Sequence, residues 1–214
     1  MSLPTSPKIH LHKNDLPAGV SFGAAVAIDT ETLGLKPNRD RLCVVQLSAG
    51  DGTAHLVQLE AGAHDAPNLK ALLTNPAVLK IFHFGRFDIA MLAKHLGVTT
   101  GPVYCTKIAS KLARTYTDKH GLKDLVKELT GVDLSKASQS SDWAAASLSK
   151  DQLDYAASDV LHLHKVKTIL DMMLARENRT ALAEACFRFL PTRAELDLSG
   201  WAGDGEGERD IFAH

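Results

Sequence analysis

Residues 24–59 read AAVAIDTETLGLKPNRDRLCVVQLSAGDGTAHLVQL, and the fold follows from how this stretch is divided. AAVAID at 24–29 is a short apolar run of strand length, closed by the turn residues of 30–38, and so reads as a buried strand. RLCVVQLS at 41–48 is rich in branched apolar residues, Asp51-Gly52 is a hairpin signal, and HLVQL at 55–59 alternates again. Together these predict a three-stranded antiparallel meander.

Downstream the chain changes character. Residues 67–73 read as a short helix, LKIFHF at 79–84 as a strand, FDIAMLAKHL at 87–96 as an amphipathic helix ending at Gly97, and residues 102–105 as a weak fifth strand. Helical periodicity follows over 106–114, 122–129, 150–175 and 180–190, with a polar connection at 133–141. A meander, then αβαβ, then helices, predicts an α/β fold with a mixed five-stranded sheet flanked by helices. The expected organisation is a polar leader at 1–22, one domain at 23–201, and an acidic tail at 202–214 carrying GDGEGE, which offers a subunit contact.

With 214 residues, 45% of them hydrophobic, the chain can bury the core of one domain. Its net charge of −1 supplies no global attraction to nucleic acid or to an anionic membrane, so any polyanion-binding surface must be local. Cys43, Cys105 and Cys186 are odd in number and widely spaced, which excludes a disulfide framework and a cysteine zinc site and fits a reducing compartment. No signal-peptide core stands near the start, and no window approaches the ~18 apolar residues of a membrane span. The expectation is a cytoplasmic protein with no membrane partner.

The chemistry lies in five residues. Asp29 and Glu31 end the first predicted strand, where alternation points both carboxylates to one side. Like charges in one small volume raise a pKa or call for a cation, and hard oxygen ligands on a rigid strand suit Mg²⁺ or Mn²⁺. Asp88 opens the helix after the strand at 79–84, which brings a third carboxylate to the same sheet edge when the two strands are neighbours. Tyr155 and Asp159 sit one helical turn apart on one face. There a carboxylate can bind metal while the phenol hydrogen-bonds an attacking water. Each signal alone has a structural alternative: a solvated strand end, a helix-start acid, a buried tyrosine with a partner. The combination is far more specific than its parts.

Asp29-Thr30-Glu31, the run His83-Phe84-Gly85-Arg86-Phe87-Asp88, and Tyr155-Ala156-Ala157-Ser158-Asp159 resemble the three motifs of the ribonuclease D-like 3′→5′ exonucleases, in the DEDD subgroup with a tyrosine in its third motif. LGL at 33–35, RLCVVQ at 41–46, CTKIAS at 105–110, SSDW at 140–143 and FLPTR at 189–193 are similar to the nano-RNase C branch of that family in alphaproteobacteria. The resemblance implies a ribonuclease H-like fold. It implies two-metal hydrolysis, with two Mg²⁺ or Mn²⁺ ions held by Asp29, Glu31, Asp88 and Asp159 and with Tyr155 positioning the water. It also implies short single-stranded RNA, dinucleotides especially, as substrate, with DNA or longer RNA 3′ ends as alternatives, and a ring-like homo-oligomer, an octamer. Ala145-Ala146 stands where classical ribonuclease D has Arg-Pro, which argues against long structured RNA.

An enzyme that recognises a 3′ end needs stacking and apolar contacts to the terminal bases, and Leu33, His83, Phe84 and Phe87 flank the acidic motifs where such contacts are useful. Lys107, Lys111 and Arg114 fall on one predicted helix as a basic stripe for phosphates or for an acidic tail from another subunit. The bias continues through Lys119, His120, Lys123 and Lys127, while Glu195, Asp197, Asp204, Glu206, Glu208 and Asp210 make the C-terminus acidic.

Overall fold

The computed structural model describes residues 7–134, 141–202 and 211. Its sheet has six strands in the order β1-β4-β3-β2-β5-β6: β1 (Lys8–Lys13), β2 (Ala25–Thr32), β3 (Leu42–Ser48), β4 (Thr53–Gln58), β5 (Leu79–Phe82) and β6 (Val103–Cys105). The predicted meander is β2, β3 and β4, paired antiparallel in sequence. Strand β5 then adds parallel to β2, and β6 parallel to β5.

The sixth strand is β1, inside the stretch expected to be a leader. KIHLHK alternates with period two, Ile9 and Leu11 against Lys8, His10 and His12, and pairs parallel to β4 in full register from Lys8↔Thr53 to Lys13↔Gln58. Its polar, basic make-up hides it from a reading that looks for apolar runs. That make-up suits an edge strand, where one side of the backbone faces solvent.

Interior position explains the composition of the central strands. β3 is buried along its whole length, and Val26, Ala27 and Ile28 of β2 are fully buried, as strands covered on both faces must be. Helix α1 (Pro67–Thr74) precedes β5, and α2 (Arg86–Leu96) follows it, stopping at Gly97 in a left-handed conformation. Helices α3 (Thr106–Ala113) and α4 (Leu122–Thr130) come next, as expected from the periodicity.

The helix expected over 150–175 is two helices. Ser149 caps α5 (Lys150–Leu161) with its hydroxyl on the Gln152 N–H, and Gln152 returns a bond to the Ser149 N–H. His162 then turns the chain into α6 (Leu163–Arg176) with no proline or glycine to mark the break. This lets α5 lie across β2, β3 and β4 while α6 packs against β2 and β5. The last helix, α7 (Thr180–Leu198), runs past Pro191, where the sequence reading ended it.

What carries α7 beyond the proline is tertiary. Arg86, at the start of α2, donates to both oxygens of Asp197, the second contact at 2.8 Å, and Arg193 reaches the same carboxylate at 3.2 Å. Among the described residues no helix is long and apolar enough to cross a membrane. The acidic run Gly203–Asp210 and most of the polar connection at 133–141 lie outside the described residues.

Asp197→Ala removes a carboxylate shared by two arginines that are each at least three-quarters buried and leaves them hydrogen bonds to the Trp201 and Ala202 carbonyls. We expect a loss of about 2–4 kcal/mol, read from the urea midpoint, with an unchanged m-value; a loss near zero would mean that Asp197 does not anchor α7.

Candidate active site

The acids meet at the end of β2. Alternation turns Asp29 and Glu31 to the face covered by α5, and the ladder to β3 slips by one residue between Glu31 and Thr32. Such a bulge re-aims side chains at a strand end. From α5, Asp159 completes a trio: ligand oxygens of Asp29, Glu31 and Asp159 all lie within 4.8 Å of one another.

Asp88 joins from the other direction. It is 5% exposed, in the first turn of α2, and its Oδ1 accepts a 2.6 Å hydrogen bond from the Thr30 hydroxyl. Thr30 is the residue between Asp29 and Glu31, so one strand points two acids to one face and uses its middle side chain to orient a third from the opposite face. Sequence reasoning missed Thr30; its signal was its place between two acids, where an apolar residue would ordinarily continue the strand.

The electrostatics follow from crowding. Burial, then the charges of Asp88, Asp159 and Glu31, hold the Asp29 carboxyl well above the usual carboxylate range. Glu31 is pushed up to about 9, by burial first and then by Asp159 and Asp88. Burial raises Asp88 to about 7 against the opposing Thr30 hydrogen bond, and raises Asp159 to about 7 against the bond from Tyr155. Burial and the acids Asp159, Glu31 and Asp29 also raise Tyr155, so its phenol keeps its proton. Four acids at one sheet edge, disfavoured as anions by each other and by burial, are a donor set for divalent cations with a preference for oxygen. The residues present therefore fit the metal ions that the sequence reading expects.

Beside the acids stands a second group. His83 Nδ1 lies 2.9 Å from the Thr106 hydroxyl, which itself donates to the Phe82 carbonyl. With the Thr106 proton so used, His83 must donate from Nδ1, leaving Nε2 as an acceptor. Burial, then Lys107, drives the imidazole pKa down to about 3, so the ring is neutral. Phe84 is a non-glycine residue at φ 63°, half exposed, with the Lys107 ammonium 3.8 Å above its ring. Leu33 is 52% exposed just past Glu31, and Phe87 is partly buried against the core.

The expected basic stripe is not one surface. Arg114 is wholly buried, its guanidinium held by Ser110, the Lys119 carbonyl and Glu128. It ties α3 to α4 and is closed to phosphate, while Lys107 lies over Phe84 near His83 and Lys111 is exposed. A cavity of about 620 Å³ between β6, α6 and α7, lined by Thr100, Tyr104 and Phe187 among others, contains none of the acids.

The sheet order and the acid cluster at its central strand are those of nucleases built on the ribonuclease H-like fold. The chain belongs to the 3′–5′ exonuclease family, whose model matches residues 13–175. Ribonuclease D of Granulibacter bethesdensis is 39% identical over 156 residues, 73% of this chain and 39% of that protein, so the chain spans well under half of that relative. Two solved structures agree over almost the whole length of both chains. Brucella melitensis NrnC bound to pGG is 61% identical with a TM-score of 0.92, covering 98% of this chain and 100% of that one. The same protein with bound Mg²⁺ is 60% identical with a TM-score of 0.90, covering 97% and 99%.

The acid pKa values make a prediction for the metal-free chain. A folded carboxyl that holds its proton up to about 7, where the unfolded chain has released it, makes folding lose stability as pH rises toward and through that value. Buried imidazoles such as His83, with depressed pKa, contribute the opposite slope, so the diagnostic is a difference between variants. In EDTA, Asp159→Asn should melt at the same temperature as wild type at or below about pH 4 and progressively higher as pH rises to about 7, as calorimetry across pH would show. A gap that closes as pH rises would reverse the assignment.

Proposed function

We propose that this chain is a metal-dependent 3′→5′ exonuclease acting on short RNA, dinucleotides above all, and releasing nucleoside 5′-monophosphates. The observation that carries this reading is the convergence of Asp29, Glu31 and Asp159, with Asp88 locked beside them by Thr30 and with Tyr155 one turn from Asp159. Asp29, Glu31, Asp88 and Asp159 would hold two Mg²⁺ or Mn²⁺ ions, which when bound acidify a water and neutralise charge on the leaving 3′ oxygen.

The side chains then have separable tasks. The Tyr155 phenol gives its proton to Asp159 in a hydrogen bond, so its oxygen accepts from the attacking water and turns a water lone pair toward phosphorus. The new P–O bond forms from that water as the P–O3′ bond breaks, and the phosphate stays on the 5′ oxygen of the released nucleotide. His83 Nε2, a neutral acceptor, suits a ribose hydroxyl of the terminal nucleotide. Leu33 and Phe84 offer apolar surface for bases, and Lys107, above Phe84, offers one charge for phosphate.

Support for short substrates comes from the extent of the likeness to NrnC, whose solved complex holds pGG. The burial of Arg114, which takes it out of the expected basic stripe, and the net charge of −1 point the same way. We read the chain as a cytoplasmic homo-oligomer, with exposed Met172, Leu182 and Phe189 on α6 and α7 as apolar surface for subunit contact.

Labelled RNAs of increasing length, beside a DNA duplex, test this directly. The dinucleotide should be consumed fastest, with EDTA stopping all cleavage; a ladder from long RNA at equal rate would instead mean an open groove. Asp88→Asn should lower kcat by about a hundredfold or more. Phe84→Ala should act mainly on KM, raising it about tenfold through lost stacking. A wild-type kcat for Asp88→Asn would remove that residue from the site.

A further inference from the structure

Strand β3 places Gln46 directly opposite Asp29 across the β2–β3 ladder, with Leu56 of β4 as its partner on the other side. Side chains paired across a ladder project to one face of the sheet, so the Gln46 carboxamide and the Asp29 carboxylate share the face that α5 covers. Gln46 is 0% exposed, and among the described residues neither its Oε1 nor its Nε2 has a hydrogen-bond partner.

Its surroundings on that face are mostly apolar, the buried Trp143 indole N–H being a second polar atom without a partner among the described residues. Val44, two residues earlier, and Leu56, across the ladder, belong to an apolar cluster with Trp143, Leu148 and Ala156. Burying a carboxamide without partners is costly, whereas a methionine of similar volume would fill the position without that cost. The polar group that the pairing sets against Gln46 is Asp29.

We propose that Gln46 is a positioning residue for Asp29, its Nε2 donating to the Asp29 carboxylate when that group is ionised with the metal ions bound. This rests on the exonuclease reading of the site. An ionised carboxylate has about four lone-pair directions, and those not taken by cations need N–H or O–H donors to hold its orientation. The Thr30 backbone N–H supplies one donor to Asp29, and Gln46 supplies a second from the neighbouring strand. The residue type follows from the same geometry. Glutamate would add a fifth like charge beside Asp29, Glu31, Asp88 and Asp159, and asparagine would fall one methylene short.

The test uses Gln46→Met in the full chain, with Mn²⁺ binding by calorimetry, melting in EDTA, and kinetics on a dinucleotide. Mn²⁺ affinity should fall about 10- to 100-fold, and kcat should fall with KM nearly unchanged. The melting temperature in EDTA should equal or exceed that of wild type, because the unpaired amide is gone. A merely structural glutamine would leave Mn²⁺ affinity at its wild-type value, which would overturn the proposal. If the variant does not fold, a crystal structure of the wild-type chain grown with Mn²⁺ decides: Nε2 at about 3 Å from an Asp29 oxygen supports it, and a separation beyond hydrogen-bond reach overturns it. Wild-type protein that neither binds Mn²⁺ nor cleaves RNA would sink the exonuclease reading, and this proposal with it. Binding and cleavage unchanged in Gln46→Met sink this proposal alone.

Discussion

Mutual repulsion among crowded, partly or wholly buried carboxylates is the constraint around which this fold is arranged. Asp29, Glu31, Asp88 and Asp159 are all held above their ordinary pKa values, by burial first and, for three of them, by one another's charge. Such a cluster opposes folding unless protons or cations neutralise it, so the rest of the molecule must keep the acids together against their preference to separate. The structure does this with rigid elements. β2 has five hydrogen-bonded or packed neighbours in β3, β5, α2, α5 and α6, and each acid leaves the backbone at an element end or helix face.

The cost is spread over three supports that touch no acid or only one. The Thr30 hydroxyl fixes Asp88, the Ser149–Gln152 capping box fixes the start of α5 and hence the phase of Tyr155 and Asp159, and the Arg86–Asp197 pair ties the start of α2 to α7. The first ties α2 to β2, the second sets where α5 begins, and the third ties α2 to α7. An acid on a mobile loop would simply move away from the others, so placing all four on regular structure is what makes the cluster possible.

How much of this is legible in sequence depends on where the information resides. The meander and the acid motifs are local: alternation, turn residues and i,i+4 spacing sit within a few positions and were read with boundaries close to those observed. The features that escaped are tertiary. β1 is a strand because β4 offers it an edge, although its lysines and histidines read as leader. The break at His162 has no local breaker and follows from α5 and α6 meeting different strands. Arg114 has the spacing of a surface stripe, yet Glu128, fourteen positions on, draws it inside. Gln46 looked like one more residue of an apolar strand until the register set it against Asp29.

The residues that follow β5 show the opposite economy. An aromatic residue at φ 63° is held where L side chains are disfavoured, at a cost on the order of 1 kcal/mol or more, and half of Phe84 faces solvent. Neither strain nor exposure helps the fold. Lys107 stacks on the ring from α3, and Thr106, the residue before it, fixes His83, the residue before Phe84. Two adjacent residues on β5's exit are thus matched to two adjacent residues at the start of α3. The pairing keeps a neutral imidazole, an apolar ring and one ammonium together at the end of β5. In a chain with a net charge of −1, that arrangement supplies a local positive charge over an exposed ring that the molecule as a whole does not offer.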